Sequence, residues 1–158
     1  MALRIPSIDL LPPPHRAAAM RQLHPRTITP AKPRKDTEHT EQVVFFNRIR
    51  TLAMNDPRYA MAVKRTHAVP NGGGRSKREA GRLKAEGVTP GVSDIFCALP
   101  SGAFHGLYIE MKSLTGLPSR EQKAWLADSV DLGYTAACCR GADEAIAVWM
   151  AYVAGVIA

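Results

Sequence analysis

Hydrophobic and polar positions follow two rhythms along this chain. Phe45, Phe46, Ile49, Leu52 and Ala53 recur at helical spacing, which predicts a helix from a cap at Asp36 or Thr37 to about Asn55. Asn55-Asp56-Pro57 ends it. From Ala60 to Val69 the rhythm changes, with Met61 and Val63 set against Lys64 and Thr66, and a strand is expected there. Ser76 to about Glu86 reads as a helix that Gly87 stops. Two apolar strand-like runs follow, one opening at Asp94 and one spanning Leu107 to Lys112. The link between them, Pro100 to Gly106, holds Pro, Ser and two Gly. That is loop chemistry, short enough to join antiparallel neighbours.

A third helix starts at Ser119, with Gln122 placed to complete a capping box. Trp125, Leu126, Val130 and Leu132 are expected on its buried face, and Gly133 ends it. Tyr134 to Cys139 is an uninterrupted apolar run, as in a strand covered on both sides. Ala142 to about Gly155 forms the last helix, bearing Ile146, Trp149 and Met150. No internal repeat is visible.

Composition divides the 158 residues into a tail, 1–36, and one domain, 37–158. Seven of the twelve prolines fall in the tail, where seven basic residues face only Asp9 and Asp36. Proline removes backbone donors and restricts its predecessor, so disorder is expected there. A basic arm on a phosphate backbone, a solvated tail without a role and an Arg-rich transit peptide all fit, although the prolines count against the last. The net charge of +7 favours polyanionic partners. Cys97, Cys138 and Cys139 sit in apolar runs without metal-site spacing. They read as core thiols of a reducing compartment, so a cytoplasmic setting is expected. Residues 1–36 lack the apolar block of a secretory signal. The apolar run from Ala145 to Ala158 is 14 residues long, too short for a bilayer.

Chemistry concentrates between Asp94 and Lys112. Side chains alternate along a strand, so Glu110 and Lys112 share a face while Met111 points away. An antiparallel pair can set Asp94 beside Glu110. Two carboxylates facing one cleft repel, and a hard divalent cation relieves the repulsion. Mg²⁺ suits one or two carboxylates with waters and phosphate oxygens, and it activates water for phosphoryl chemistry. Lys112 is placed to stabilise the attacking hydroxide or the transition-state charge. Glu41 lies one turn before Phe45, at the edge of the apolar stripe. It fits a paired or metal-linked carboxylate, and equally a surface residue favoured by the helix dipole.

The densest positive patch outside the tail includes Lys64, Arg65, Arg75, Lys77 and Arg78 around Asn71-Gly72-Gly73-Gly74. It lacks the phosphate-loop ending. A loop and helix gripping DNA phosphates fits it, as does a flexible turn with a solvated helix. His67 and His105 are expected near the cleft, where structural or surface roles are the commoner use of a lone histidine.

The ordered set is Glu41, Asn71-Gly72-Gly73, Gly91-Val92-Ser93-Asp94, Ile109-Glu110-Met111-Lys112 and Gln122. It resembles the VRR-NUC branch of the PD-(D/E)XK nuclease superfamily over roughly residues 38–150. The aspartate stands 16 positions before the glutamate, and the glutamine 10 after the lysine. Where family members often place proline before the motif aspartate, this chain has Ser93. The resemblance implies a restriction-endonuclease-like α/β core, a mixed β-sheet flanked by helices. It implies metal ligation by Asp94 and Glu110 with the Met111 carbonyl, and catalysis by Lys112. Glu41 would complete the acidic site and Gln122 would orient it. It further implies Mg²⁺, with Mn²⁺ as substitute, and small bacterial or phage-encoded relatives acting as homodimers on branched DNA such as Holliday junctions.

Two alternatives stay beside a structure-selective endonuclease. One is a non-catalytic basic DNA-binding protein on a nuclease-like fold. The other is a restriction-like nuclease selective for sequence.

Overall fold

A computed structural model describes residues 38–70 and 77–157. The expectations for the tail, and for Asn71, Gly72, Gly73 and Arg75, lie outside the described residues. Helix α1 spans Glu38–Asn55. A 3-10 turn, Pro57–Tyr59, leads into a short helix α2, Ala60–Arg65. Strand β1 is Thr66–Ala68 and helix α3 is Lys77–Ala85. Strands β2, Ile95–Cys97, and β3, Leu107–Lys112, follow. Helix α4 is Arg120–Asp131, β4 is Thr135–Arg140 and α5 is Gly141–Ile157.

The four strands lie in the order β1-β2-β3-β4. The first three are antiparallel, and β4 runs parallel to β3. A parallel neighbour needs a crossover, and α4 supplies it. The expected α/β architecture, a mixed sheet flanked by helices, is the observed one. Helices α1 and α5 cover one face, where Phe45, Ile49, Ile95, Ile109, Met111 and Trp149 close the core. Each of these side chains is fully buried, which contributes about 1.5–3 kcal/mol apiece for the large ones. Helix α4 packs on the other face, against β3 and β4. The expectation that β4 is covered on both sides is met. Cys97 and Cys139 are buried free thiols and Cys138 is half-buried.

Two expectations fail. The stretch from Ala60 is helical as far as Arg65, and only Thr66–Ala68 pairs with β2. Ala, Met, Lys and Arg are good helix formers, and Asp56 launches the segment by accepting from the Arg58 backbone. Thr66 ends it, its hydroxyl donating to the Ala62 carbonyl at 2.8 Å while accepting from Trp149 Nε1 at 2.8 Å. Val130 on α4 and Leu132 at its C-cap are exposed by 46% and 69%, while Leu126 and Ser129 face inward. The helix meets the sheet along the i, i+3 line of Leu126 and Ser129, and Val130 falls one step off it. No described helix is long and apolar enough to cross a membrane.

Candidate active site

The site grows from strand register. Ile95 pairs with Ile109, and one further step sets Asp94 opposite Glu110. On its other side Asp94 is held to the end of β1, where Val69 N–H donates to the Asp94 carbonyl at 2.8 Å. Tyr108, Glu110 and Lys112 alternate with the core residues Leu107, Ile109 and Met111, so they face α4.

The segment before Asp94 is held by a close approach. Gly91 has φ +86°, and a Cβ there would stand 2.8 Å from the backbone carbon of Glu121 in the first turn of α4. Only glycine fits both the backbone region and the contact. The Gly91-Val92-Ser93-Asp94 stretch is thereby seated on the helix that also carries Gln122.

Helix α4 begins with the expected capping box. Ser119 Oγ accepts from Gln122 N–H, and Ser119 N–H donates to Gln122 Oε1 at 2.8 Å. This leaves the Gln122 amide nitrogen to donate to Glu110 Oε1. One side chain thus closes the cap and pins the carboxylate.

Glu110 is fully buried and Lys112 nearly so. Lys112 Nζ lies 2.8 Å from Glu110 Oε1 and donates to the Met111 carbonyl at 2.9 Å. Asp94 Oδ2 accepts from Met111 N–H at 2.9 Å. Glu110 Oε2 is buried without a hydrogen-bond partner. Burial pushes Glu110 up to about 7; the hydrogen bond from Lys112 opposes this and the Asp94 charge adds to it. Burial also raises Asp94, against the pull of the Met111 N–H and of Lys112. For Lys112 burial acts downward, but the Glu110 hydrogen bond, with the charges of Glu110, Glu38 and Asp94, leaves it raised. The cluster therefore carries one firm cation and two carboxylates that hold protons more readily than usual.

The helix carboxylate in this group is not the expected one. Glu41 Oε2 accepts from Ala142 N–H at 2.6 Å, at the start of α5. Glu38, one turn earlier, reaches Lys112 Nζ at 3.4 Å. The first turn of α1 passes over the ends of β3 and β4, and three residues decide which of two same-side carboxylates meets which partner. Helical period relates Glu38 to Glu41, and that was the available signal. Arg140 was also missed. It pairs in register with Lys112 and is exposed, a cation at the strand ends beside the cleft.

Lys64 and Arg65 are exposed at the end of α2, and Lys77 and Arg78 open α3. The histidines lie elsewhere on this sheet face: His67 against the Phe96 ring and His105 against Tyr134.

The donors present suit a hard divalent cation. The orphan Glu110 oxygen and the crowding of two carboxylates are what such an ion relieves. Among the described residues no cluster of three or more His, Cys, Asp or Glu has metal-site geometry. A site with two carboxylates would complete its shell with water and substrate oxygens, the habit of Mg²⁺.

No protein-family model matches the chain, and no curated protein matches it significantly. Among solved structures, a chain described as a VRR_NUC domain protein is similar, with a TM-score of 0.53 and 25% identity. The match covers 70% of this chain and 89% of that one. By fold, this chain is related to a VRR_NUC domain protein, and its acidic cluster stands on a nuclease-like scaffold.

Proposed function

We propose that this protein is a Mg²⁺-dependent DNA endonuclease. The observation that carries the reading is Glu110: buried, opposite Asp94, bridged to Lys112 and left with one unpartnered oxygen. A structural carboxylate would have that oxygen satisfied. Asp94 and Glu110 are the metal ligands of this reading, with the Met111 carbonyl available once Lys112 turns toward substrate. A bound divalent cation supplies an activated water and offsets charge on the scissile phosphate.

The chain's own groups do the rest. Gln122 fixes the Glu110 carboxylate, and the Met111 N–H fixes that of Asp94. Lys112 donates to the charge that grows on the phosphate oxygens. Glu38 adds its charge to that of Glu110 in keeping the Lys112 ammonium protonated, whereas Glu41, first expected to complete the acidic site, meets the Ala142 N–H. Arg140, Lys64 and Arg65, with Asn71, Gly72, Gly73, Arg75, Lys77 and Arg78, bind backbone phosphates. A preference for branched DNA and a homodimer with two sites are carried by the resemblance, since a two-fold dimer matches a symmetric junction.

The test is cleavage of labelled four-way junction, flap, single-stranded and duplex DNA in Mg²⁺, Mn²⁺ or EDTA. Metal-dependent nicks are expected, and Asp94→Ala should slow them by about two orders of magnitude or more. Symmetric nicks confined to the junction would fit a dimeric junction nuclease. Binding of all substrates without cutting in either metal would replace this reading with a non-catalytic DNA-binding one.

A further inference from the structure

Four of the ten Phe, Tyr and Trp residues gather on the sheet face that carries Glu110 and Lys112. Phe96 stacks on Tyr108 across β2 and β3, with centroids 4.4 Å apart and planes at 22°. Tyr134 joins both, at 6.1 and 5.4 Å, and Trp125 meets Tyr108 edge-on at 5.9 Å. His67 and His105 add edges at the rim. The four large rings are half-buried and both histidines are exposed.

This face is not an ordinary core. The large aliphatic side chains of β2 and β3 point the other way, under α1 and α5. Helix α4 packs on β3 and β4, while on β1 His67 is exposed and on β2 Phe96 is half-buried. Tyr108 and Tyr134 end in hydroxyls, and His67 and His105 bring imidazoles beside the apolar Phe96 ring, so the patch can meet a polar, planar guest. Gly106 makes the arrangement possible, because a Cβ there would stand 2.8 Å from Phe96 Cε2. Exposed Lys64 and Arg65 immediately precede β1, at the patch's open edge. Tyr108 precedes Glu110 by two residues on one strand face, roughly 6.8 Å along it. That step is comparable to one nucleotide of an extended strand.

We propose that this aromatic face is a stacking platform for unpaired bases of a DNA strand, next to the acidic cluster. Flat apolar faces with cations along one edge fit bases on a phosphate backbone better than an aliphatic protein surface. The proposal rests on the nuclease reading for its partner but not for its test. It makes the substrate a strand with at least one unstacked base near the scissile phosphate, such as a flap or junction arm.

The test compares a fluorescent twelve-nucleotide dT strand with an abasic strand of equal phosphate number, both in EDTA at fixed salt, read by anisotropy. Stacking is expected to favour dT by about 5- to 150-fold per engaged base. Phe96→Leu and His67→Ala should each shrink that ratio while leaving abasic affinity unchanged. Thermal melts confirm folding, and His67→Ala changes only an exposed side chain. Equal affinity of the wild type for the two strands overturns the proposal, as does an unchanged ratio in both variants. Variants that alter only the sedimenting mass would instead mark the face as a subunit interface, which also overturns it. The two readings fail separately. A protein that discriminates dT from abasic strand but never cuts keeps this proposal and loses the nuclease. One that cuts duplex yet binds both strands alike does the reverse.

Discussion

At the scale of single residues, the site is a problem of buried charge. Glu110 sits near a pKa of about 7 against an ordinary value of 4.5, mainly because burial penalises its anion. The folded state therefore holds this proton more tightly than the unfolded chain does. The resulting stability is present below pH 4.5 and is lost as pH rises through 7. In EDTA, the melting temperature should fall between about pH 5 and pH 8, and Glu110→Gln should flatten that fall. A parallel fall in the variant would locate the titration elsewhere. Glu41 presents the opposite case, a carboxylate satisfied by a helix N-terminus. Glu41→Ala should cost about 1.5–3 kcal/mol of stability, the range of a hydrogen bond to a charged group. If the residue only caps α5, cutting per folded molecule stays near wild type. Loss of cutting without loss of stability would return Glu41 to the acidic site.

At the scale of elements, α4 does two jobs through its first turn. Ser119 and Gln122 cap the helix, and the Gln122 amide nitrogen also holds Glu110. The jobs separate by mutation. Ser119→Ala should destabilise by about 1 kcal/mol and leave kcat little changed, since Glu110 keeps its partner. Gln122→Ala should lose a similar amount of stability and also lower kcat. Equal kinetic effects in the two variants would show that Gln122 matters only as a cap. Helix α2 shows the same dependence on context. Its residues alternate as a strand would, yet their helix propensity prevails, and β2 pairs only with Thr66, His67 and Ala68 beyond them.

At the scale of the whole molecule, the charge of +7 coexists with a carboxylate-bearing cleft. A basic surface favours nucleic acid electrostatically, and in the proposed reading the acidic pair is where a divalent cation would mediate contact with phosphate. Residues 1–36 hold seven basic side chains. Deleting them should weaken DNA binding and flatten its salt dependence, because fewer counterions are released. Equal salt slopes for full-length and shortened proteins would confine binding to the folded domain.

The sequence by itself determined what depends on local rules. Apolar stripes located α1, α4 and α5, the Ser119–Gln122 capping box set the start of α4, and strand parity put Glu110 and Lys112 on one face. The short loop made β2 and β3 antiparallel, which brought Asp94 toward Glu110. Tertiary structure alone decided which groups meet across elements. It set Glu38 rather than Glu41 against Lys112, turned Val130 and Leu132 outward, aligned Arg140 with Lys112 and assembled the aromatic face. The physical reason is range. Caps, turns and periodicity act within about one helical turn or one strand pair. The choice between two carboxylates on one helix side depends on a packing angle set by side chains distant in the chain.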